Sequence, residues 1–141
     1  MIKDFSDKHP DYFFITSGNA DDIQQTILPI KQILRQKYDL ADKLRCVPTT
    51  GWEQAFNVIA SCCLYAGNDC GSCHVAASFH IPCVVLYNME YSIIKNHPWA
   101  TKWIGLENWR NKVSTQDAIQ AMETLIFNLT QRIRKENEFI S

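Results

Sequence analysis

The stretch of this chain best suited to chemistry runs Tyr65-Ala-Gly-Asn-Asp-Cys-Gly-Ser-Cys-His-Val-Ala-Ala-Ser-Phe-His-Ile-Pro-Cys-Val-Val-Leu-Tyr87. It reads as strand, tight turn, helix, strand. In open α/β sheets ligands sit beyond the carboxyl ends of the strands, and Asp69 to His74 falls at such an end. Gly71 permits close approach of a ligand to the backbone, and the N–H groups that open the helix can hold a phosphate. His74, on the first helical turn, can add a hydrogen bond or a positive charge. Asp69 can orient the turn or a sugar hydroxyl. A plainer reading stands beside this one: Asp69 caps the helix, and His74 is a surface residue.

Other chemistries compete for the same residues. Cys70-Gly-Ser-Cys-His74 matches C-x-x-C-H, the attachment pattern of haem c. That pattern belongs to exported proteins and small helical cytochromes, and the segments here point to neither. The same cysteines read as a redox C-x-x-C at a helix start, a position that lowers a thiol pKa, but the element order is not thioredoxin-like. A zinc site on Cys70, Cys73 and His74 lacks a second ligand cluster in the sequence. The scattered His9, His80 and His97 read as surface or internally satisfied residues. Trp99, Trp103 and Trp109 suit a sugar pocket or the packing of a loop-rich region equally well.

The elements that must position this turn alternate along the chain. Tyr12-Phe-Phe-Ile-Thr16 is a short strand pattern closed by Ser17-Gly18-Asn19. Ile23, Ile27, Ile30 and Leu34 follow at helical spacing, with Pro29 expected to kink the helix. Leu44 to Val47 is a weak strand pattern closed by Pro48. Trp52 to Ser61 reads as a helix with Phe56, Ile59 and Ala60 inward. The apolar run Cys62 to Ala66 is expected to be a strand broken by Gly67-Asn68-Asp69. A small-residue helix from about Gly71 to His80 leads to the strand Cys83–Tyr87, with Pro82 at its entry. Trp103 to Leu106 is a further strand candidate. Ser114 and Asp117 form a capping-box pattern ahead of the apolar stripe Ile119, Met122, Ile126, Leu129 and Ile133. Continuous apolar strands between amphipathic helices imply a parallel sheet covered on both faces, an α/β, Rossmann-like fold.

Asp69-Cys-Gly-Ser-Cys-His-Val-Ala76, followed by Ile81-Pro82 and an apolar strand, resembles the Asp-(Thr/Ser)-Gly-x-x-His-x-Ala…Pro signature of family 9 glycosyltransferases, which include the ADP-heptose:lipopolysaccharide heptosyltransferases. Tyr12 to Gly18, Val47 to Gln54 and Val113 to Ile119 are similar to further segments of the same family. The resemblance implies the C-terminal, nucleotide-sugar-binding half of a two-domain, glycosyltransferase B-type architecture. By that resemblance Asp69, Cys70, Gly71, Ser72, Cys73 and His74 would meet the diphosphate, and the loop around Thr50 would meet the base. Cys70 stands where the family has a hydroxyl residue, and a thiol is a poorer phosphate hydrogen-bond donor. Ser72-Cys73 replaces Pro-Met, and Tyr87-Asn-Met-Glu90 replaces a glycine-containing turn.

Composition sets the remaining bounds. The 141 residues are 46% apolar and 21% charged with a formal net charge of -1, which fits a globular domain and does not favour nucleic acid. No apolar run approaches the ~20 residues of a membrane span, and the polar N-terminus does not read as a signal peptide. Cys46, Cys62, Cys63 and Cys83 lie in apolar segments and suit reduced thiols of a cytoplasmic protein. The sequence is therefore expected to be one domain, residues 1–141, without the N-terminal acceptor domain and without a metal or cofactor. It is expected to bind an ADP-heptose-type donor for lipopolysaccharide or related glycan synthesis and to be inactive alone. A homo-oligomer or a separate acceptor-domain chain would complete it. A non-catalytic remnant or interaction domain is the alternative, with a C-x-x-C redox protein behind it.

Overall fold

The computed structural model describes residues 1–88, 96–99, 101–107 and 112–138, the last six of these without their side chains. It is a mixed α/β chain with parallel sheets flanked by helices, dividing into two compact units, Met1–Cys62 and Cys63–Ser141.

The first unit opens with helix α1 (Ile2–Lys8), an element for which the sequence reading gave no expectation. Its Phe5 is buried and meets Phe14 and Tyr12 edge-on, at ring centroid distances of 5.5 and 6.1 Å. Strand β1 (Phe14–Gly18) pairs in parallel with β2 (Leu44–Pro48). Between them run the short helix α2 (Ala20–Asp22), a π-helical segment Ile23–Ile27, and α3 (Leu28–Tyr38). The π segment has a local cause. Pro29 has no N–H, and its ring would collide with the carbonyl of Gln25 in a regular α-helix. The wider turn, in which Leu28 N–H bonds Ile23 C=O, takes up that conflict without ending the helix. Ile27 and Leu34 pack with Leu44 in a core bordered by Ile2, Phe14, Ile23 and Cys46. Ile30, expected in that stripe, is instead exposed.

Helix α4 (Trp52–Ala60) follows β2 and packs on β1. Its expected inward face needs correcting. Phe56 is 37% exposed and lies beside the exposed Trp52, while Ala55, Val58 and Ile59 are the half-buried positions. Ala60 is exposed as well.

The second unit holds a three-stranded parallel sheet in the order β3 (Tyr65–Asn68), β4 (Cys83–Tyr87), β5 (Trp103–Glu107). The central β4 is buried at Cys83, Val84, Val85 and Tyr87, as its unbroken apolar run requires of a strand covered on both faces. Strand β3 starts three residues later than the Cys62 expected. Ser61 and Cys62 still bond back to Asn57, Val58 and Ile59 at the end of α4. Helix α5 (Gly71–Ser78) packs on β3 and β4, and α6 (Thr115–Glu138) packs on β4 and β5. Ile119, Met122, Leu125 and Ile126 form the buried stripe of α6, while the side chain of Ile133 lies outside the described residues. No helix among the described residues is long and apolar enough to cross a membrane.

Candidate functional site

Three parallel strands end together at one edge of the second unit, and the turn from β3 into α5 is built there. Asp69 N–H bonds the Leu86 carbonyl at 3.1 Å, so the ladder to β4 runs one residue past the strand and fixes where the turn begins. Cys70 is the N-cap of α5, in extended conformation, and its side chain makes no capping bond. The first N–H groups of the helix therefore have no side-chain acceptor and face outward with the positive end of the helix dipole. Cys73 N–H closes on Cys70 C=O at 3.1 Å, which tightens the first turn. A Cβ built on Gly71 would meet no atom within 4 Å, so the space over this backbone is open to a ligand.

The Cys70 sulfur is occupied from the other side. Tyr65 Oη lies 3.6 Å from Cys70 Sγ. The ring reaches that position because residue 67 is glycine: a Cβ there would stand 2.6 Å from the Tyr65 hydroxyl oxygen. Burial first, and the contact with Cys70 second, hold the Tyr65 phenol protonated far above its usual range. Gly67 thus belongs to the strand, where the sequence suggested a break.

Asp69, half-buried, accepts a hydrogen bond from the Asn96 side-chain amide at 3.1 Å. Tyr87, at the end of β4, donates its hydroxyl proton to the Asn96 backbone carbonyl at 3.4 Å. Asn96 gives no local sign of this role, since it lies far downstream and in no recognisable motif. His97 beside it stacks on Trp103 at 5.3 Å and meets Trp99 at 4.1 Å, so two of the three downstream tryptophans are engaged in ring packing. Trp109, Met89 and Glu90 lie outside the described residues.

Of the residues the sequence grouped together, Asp69, Cys70, Gly71, Ser72, Cys73 and His74 form one continuous turn. Cys70, Gly71 and His74 are exposed and Ser72 is half-buried, whereas Cys73 is 0% exposed and turns inward. Burial pushes the Cys73 thiol up; the Cys70 backbone hydrogen bond pulls the other way, and the charges of Cys70 and Asp69 add to the rise. The helix start alone would lower that pKa. Here desolvation wins, and an activated thiolate of the redox kind is disfavoured. All six cysteines are free thiols; Cys83 is buried, Cys46 and Cys62 are half-buried, and Cys63 is exposed.

Thr50 lies in the first unit, ahead of α4. Its N–H and hydroxyl both donate to Gln54 Oε1, at 2.8 and 3.1 Å, so the helix reaches back and fixes the loop.

The sequence model of glycosyltransferase family 9 (heptosyltransferase) matches residues 15–126. No curated protein matches the chain. No solved structure matches it either.

Proposed function

Because this chain belongs to glycosyltransferase family 9 (heptosyltransferase), we propose that its Asp69–His74 turn holds the diphosphate of a nucleotide-activated sugar. The observation that carries the reading is the uncapped start of α5 at the carboxyl ends of parallel strands, with open space over Gly71. Backbone N–H groups of Gly71 and Ser72 meet phosphate oxygens, and the exposed His74 imidazole adds a side-chain donor. A helix N-terminus favours an anion by about 0.3–1 kcal/mol at a solvated site, and hydrogen bonds to charged groups add about 1.5–3 kcal/mol each. The same groups stabilise the charge that builds on a departing nucleoside diphosphate. Asp69 carries a charge of the wrong sign for phosphate. Its bond to Asn96 turns one oxygen away and leaves the other for a sugar hydroxyl.

The donor proposed is an ADP-sugar of the heptose type, used in lipopolysaccharide or related glycan assembly, with the chain as the donor-side half of a two-domain enzyme. Transfer also needs an acceptor and a general base held opposite the donor. Asp69, the carboxylate of the turn, is already committed to Asn96 and is proposed to orient the donor, with the base supplied from outside this turn.

Thermal melting with ADP-, UDP-, GDP- and CDP-sugars tests the donor. At 100 times the dissociation constant a ligand adds about 2.7 kcal/mol, which raises Tm by roughly 5–10 °C for a chain of this size. The ADP-sugar is expected to give the largest rise. Equal rises with all four would remove adenine from the proposal, and no rise with any would remove donor binding.

A further inference from the structure

The diphosphate reading leaves the side chain of Cys73 without a use, and with it a relationship the sequence did not show. Asp69, Cys73 and His74 bring one oxygen, one sulfur and one nitrogen to within 4.8 Å of one another. We propose that these three side chains form a zinc site with three protein ligands and an open fourth position.

The donor chemistry is the first argument. Zinc takes thiolate, imidazole and carboxylate together, at about 2.3, 2.0–2.1 and 2.0–2.2 Å, usually in tetrahedral geometry. Those lengths put tetrahedral ligand atoms about 3.3–3.7 Å apart, so closing the trio on a metal takes side-chain movement of about 1 Å. The arrangement also has depth: the Cys73 thiol lies buried below, while Asp69 and His74 stand at the rim, so an ion enters from solvent. A hard-oxygen metal such as magnesium has no use for the sulfur.

Charge is the second argument. A helix start repels a cation, which counts against any metal at α5. Two anionic ligands, the carboxylate and the thiolate, cancel the formal charge of Zn²⁺, and the ion itself holds the buried thiol deprotonated once bound. On binding, the Cys73 thiol releases its proton to solvent and the S–Zn bond forms; nothing is oxidised or reduced. The third argument is the outer partner. Asn96 Nδ2 donates to Asp69 Oδ2 at 3.1 Å, which orients the carboxylate; its other oxygen takes the ion in the donor-free protein and the sugar hydroxyl in the donor complex, so the two ligands compete. The sequence pattern suggested Cys70, Cys73 and His74. The structure replaces Cys70 with Asp69, because the Cys70 sulfur is held against Tyr65.

The test uses the full chain with its thiols reduced by a phosphine, and Co²⁺ as the spectroscopic stand-in. One equivalent is expected to give a thiolate-to-cobalt charge-transfer band, displaced by Zn²⁺. Cys73→Ser removes the band, Cys70→Ser retains it, and the exposed variant His74→Ala, which leaves the core untouched, weakens Zn²⁺ binding about 10- to 100-fold or more. Asn96→Ala weakens it about 10-fold. Absence of the band, its loss in Cys70→Ser, or unchanged affinity in His74→Ala would each overturn the site. Nucleotide-sugar titration in a chelator runs beside it. Donor binding with no cobalt band sinks the zinc site alone, and a cobalt band with no donor binding sinks the donor reading alone.

Discussion

The side-chain amide of Asn96 donates to the carboxylate of Asp69 at 3.1 Å, joining two residues 27 positions apart at the mouth of the turn that opens α5. The bond is solvent-exposed, so its contribution to folding is small, but it sets which way the carboxylate faces. Asn96→Ala is expected to leave Tm nearly unchanged and to weaken nucleotide-sugar affinity about three- to tenfold, the size of one net hydrogen bond. Calorimetric titration reads this directly. Unchanged affinity would take Asn96 out of the site.

The start of α6 is held by a reciprocal cap. Asp117 Oδ2 accepts from Ser114 N–H and from Ser114 Oγ, both at 2.7 Å, while Ser114 Oγ accepts from Asp117 N–H at 3.1 Å. Ser114→Ala is expected to destabilise the fold by about 1 kcal/mol in urea unfolding. The bonds from the Ser114 backbone and hydroxyl hold the Asp117 carboxyl below its usual range. Its folded pKa lies below the unfolded one, so its stabilisation is full at neutral pH and is lost as acid passes through the ordinary carboxylate range and below. Acid titration of Ser114→Ala should show a shallower loss over that window.

Helix α3 ends on Asp39 in the left-handed region, at φ 53 and ψ 36. A Cβ there costs about 1–2 kcal/mol relative to the right-handed form, and an acid at a helix C-terminus opposes the dipole. Asp39→Gly removes both penalties, offset in part by the greater freedom of glycine in the unfolded chain. A gain of about 0.5–1 kcal/mol is expected. A loss would show that the Asp39 side chain carries a structural role.

Burial pushes the Cys83 thiol and the Tyr87 phenol each up to about 12. Both keep protons that the unfolded chain surrenders. Their stabilisation is complete below the ordinary values of 9.0 and 10.0 and is lost as pH rises towards 12. The chemical counterpart is selective labelling. Exposed Cys63 and Cys70 are expected to react with a thiol reagent at once, and Cys83 only after unfolding. Rapid labelling of Cys83 in the native protein would contradict the buried β4.

Much of the architecture was legible because it rests on local rules. The unbroken apolar run of Cys83–Tyr87 can only be a strand covered on both faces, and the Ser114–Asp117 box announces α6 before its stripe begins. Three features were not legible, each for a non-local reason. Gly67 and Asn68 carry breaker residues but belong to β3, because the missing Cβ admits the Tyr65 ring. Phe56 has the spacing of a core residue on α4, yet its ring lies exposed beside Trp52. Asn96 reaches Asp69 only through folding, as does the Tyr87 hydroxyl that holds its carbonyl. Helix α1 could have been found: Ile2 and Phe5 share a face, and Pro10 stops the chain just after it.

The central claim is that the backbone opening α5 receives a diphosphate. Gly71→Val tests it cleanly: the first atom of the new side chain meets nothing within 4 Å, so the fold should lose no more than about 1 kcal/mol while the anion's approach is blocked. The measurement is an amide chemical-shift titration of the wild-type chain and of Gly71→Val with an ADP-sugar at millimolar concentration. The account predicts saturable shifts at Gly71, Ser72, Cys73 and His74 in the wild type and none in the variant, with both spectra otherwise folded. No shift at this turn in the wild type, or the same shifts with the same affinity in Gly71→Val, would contradict it.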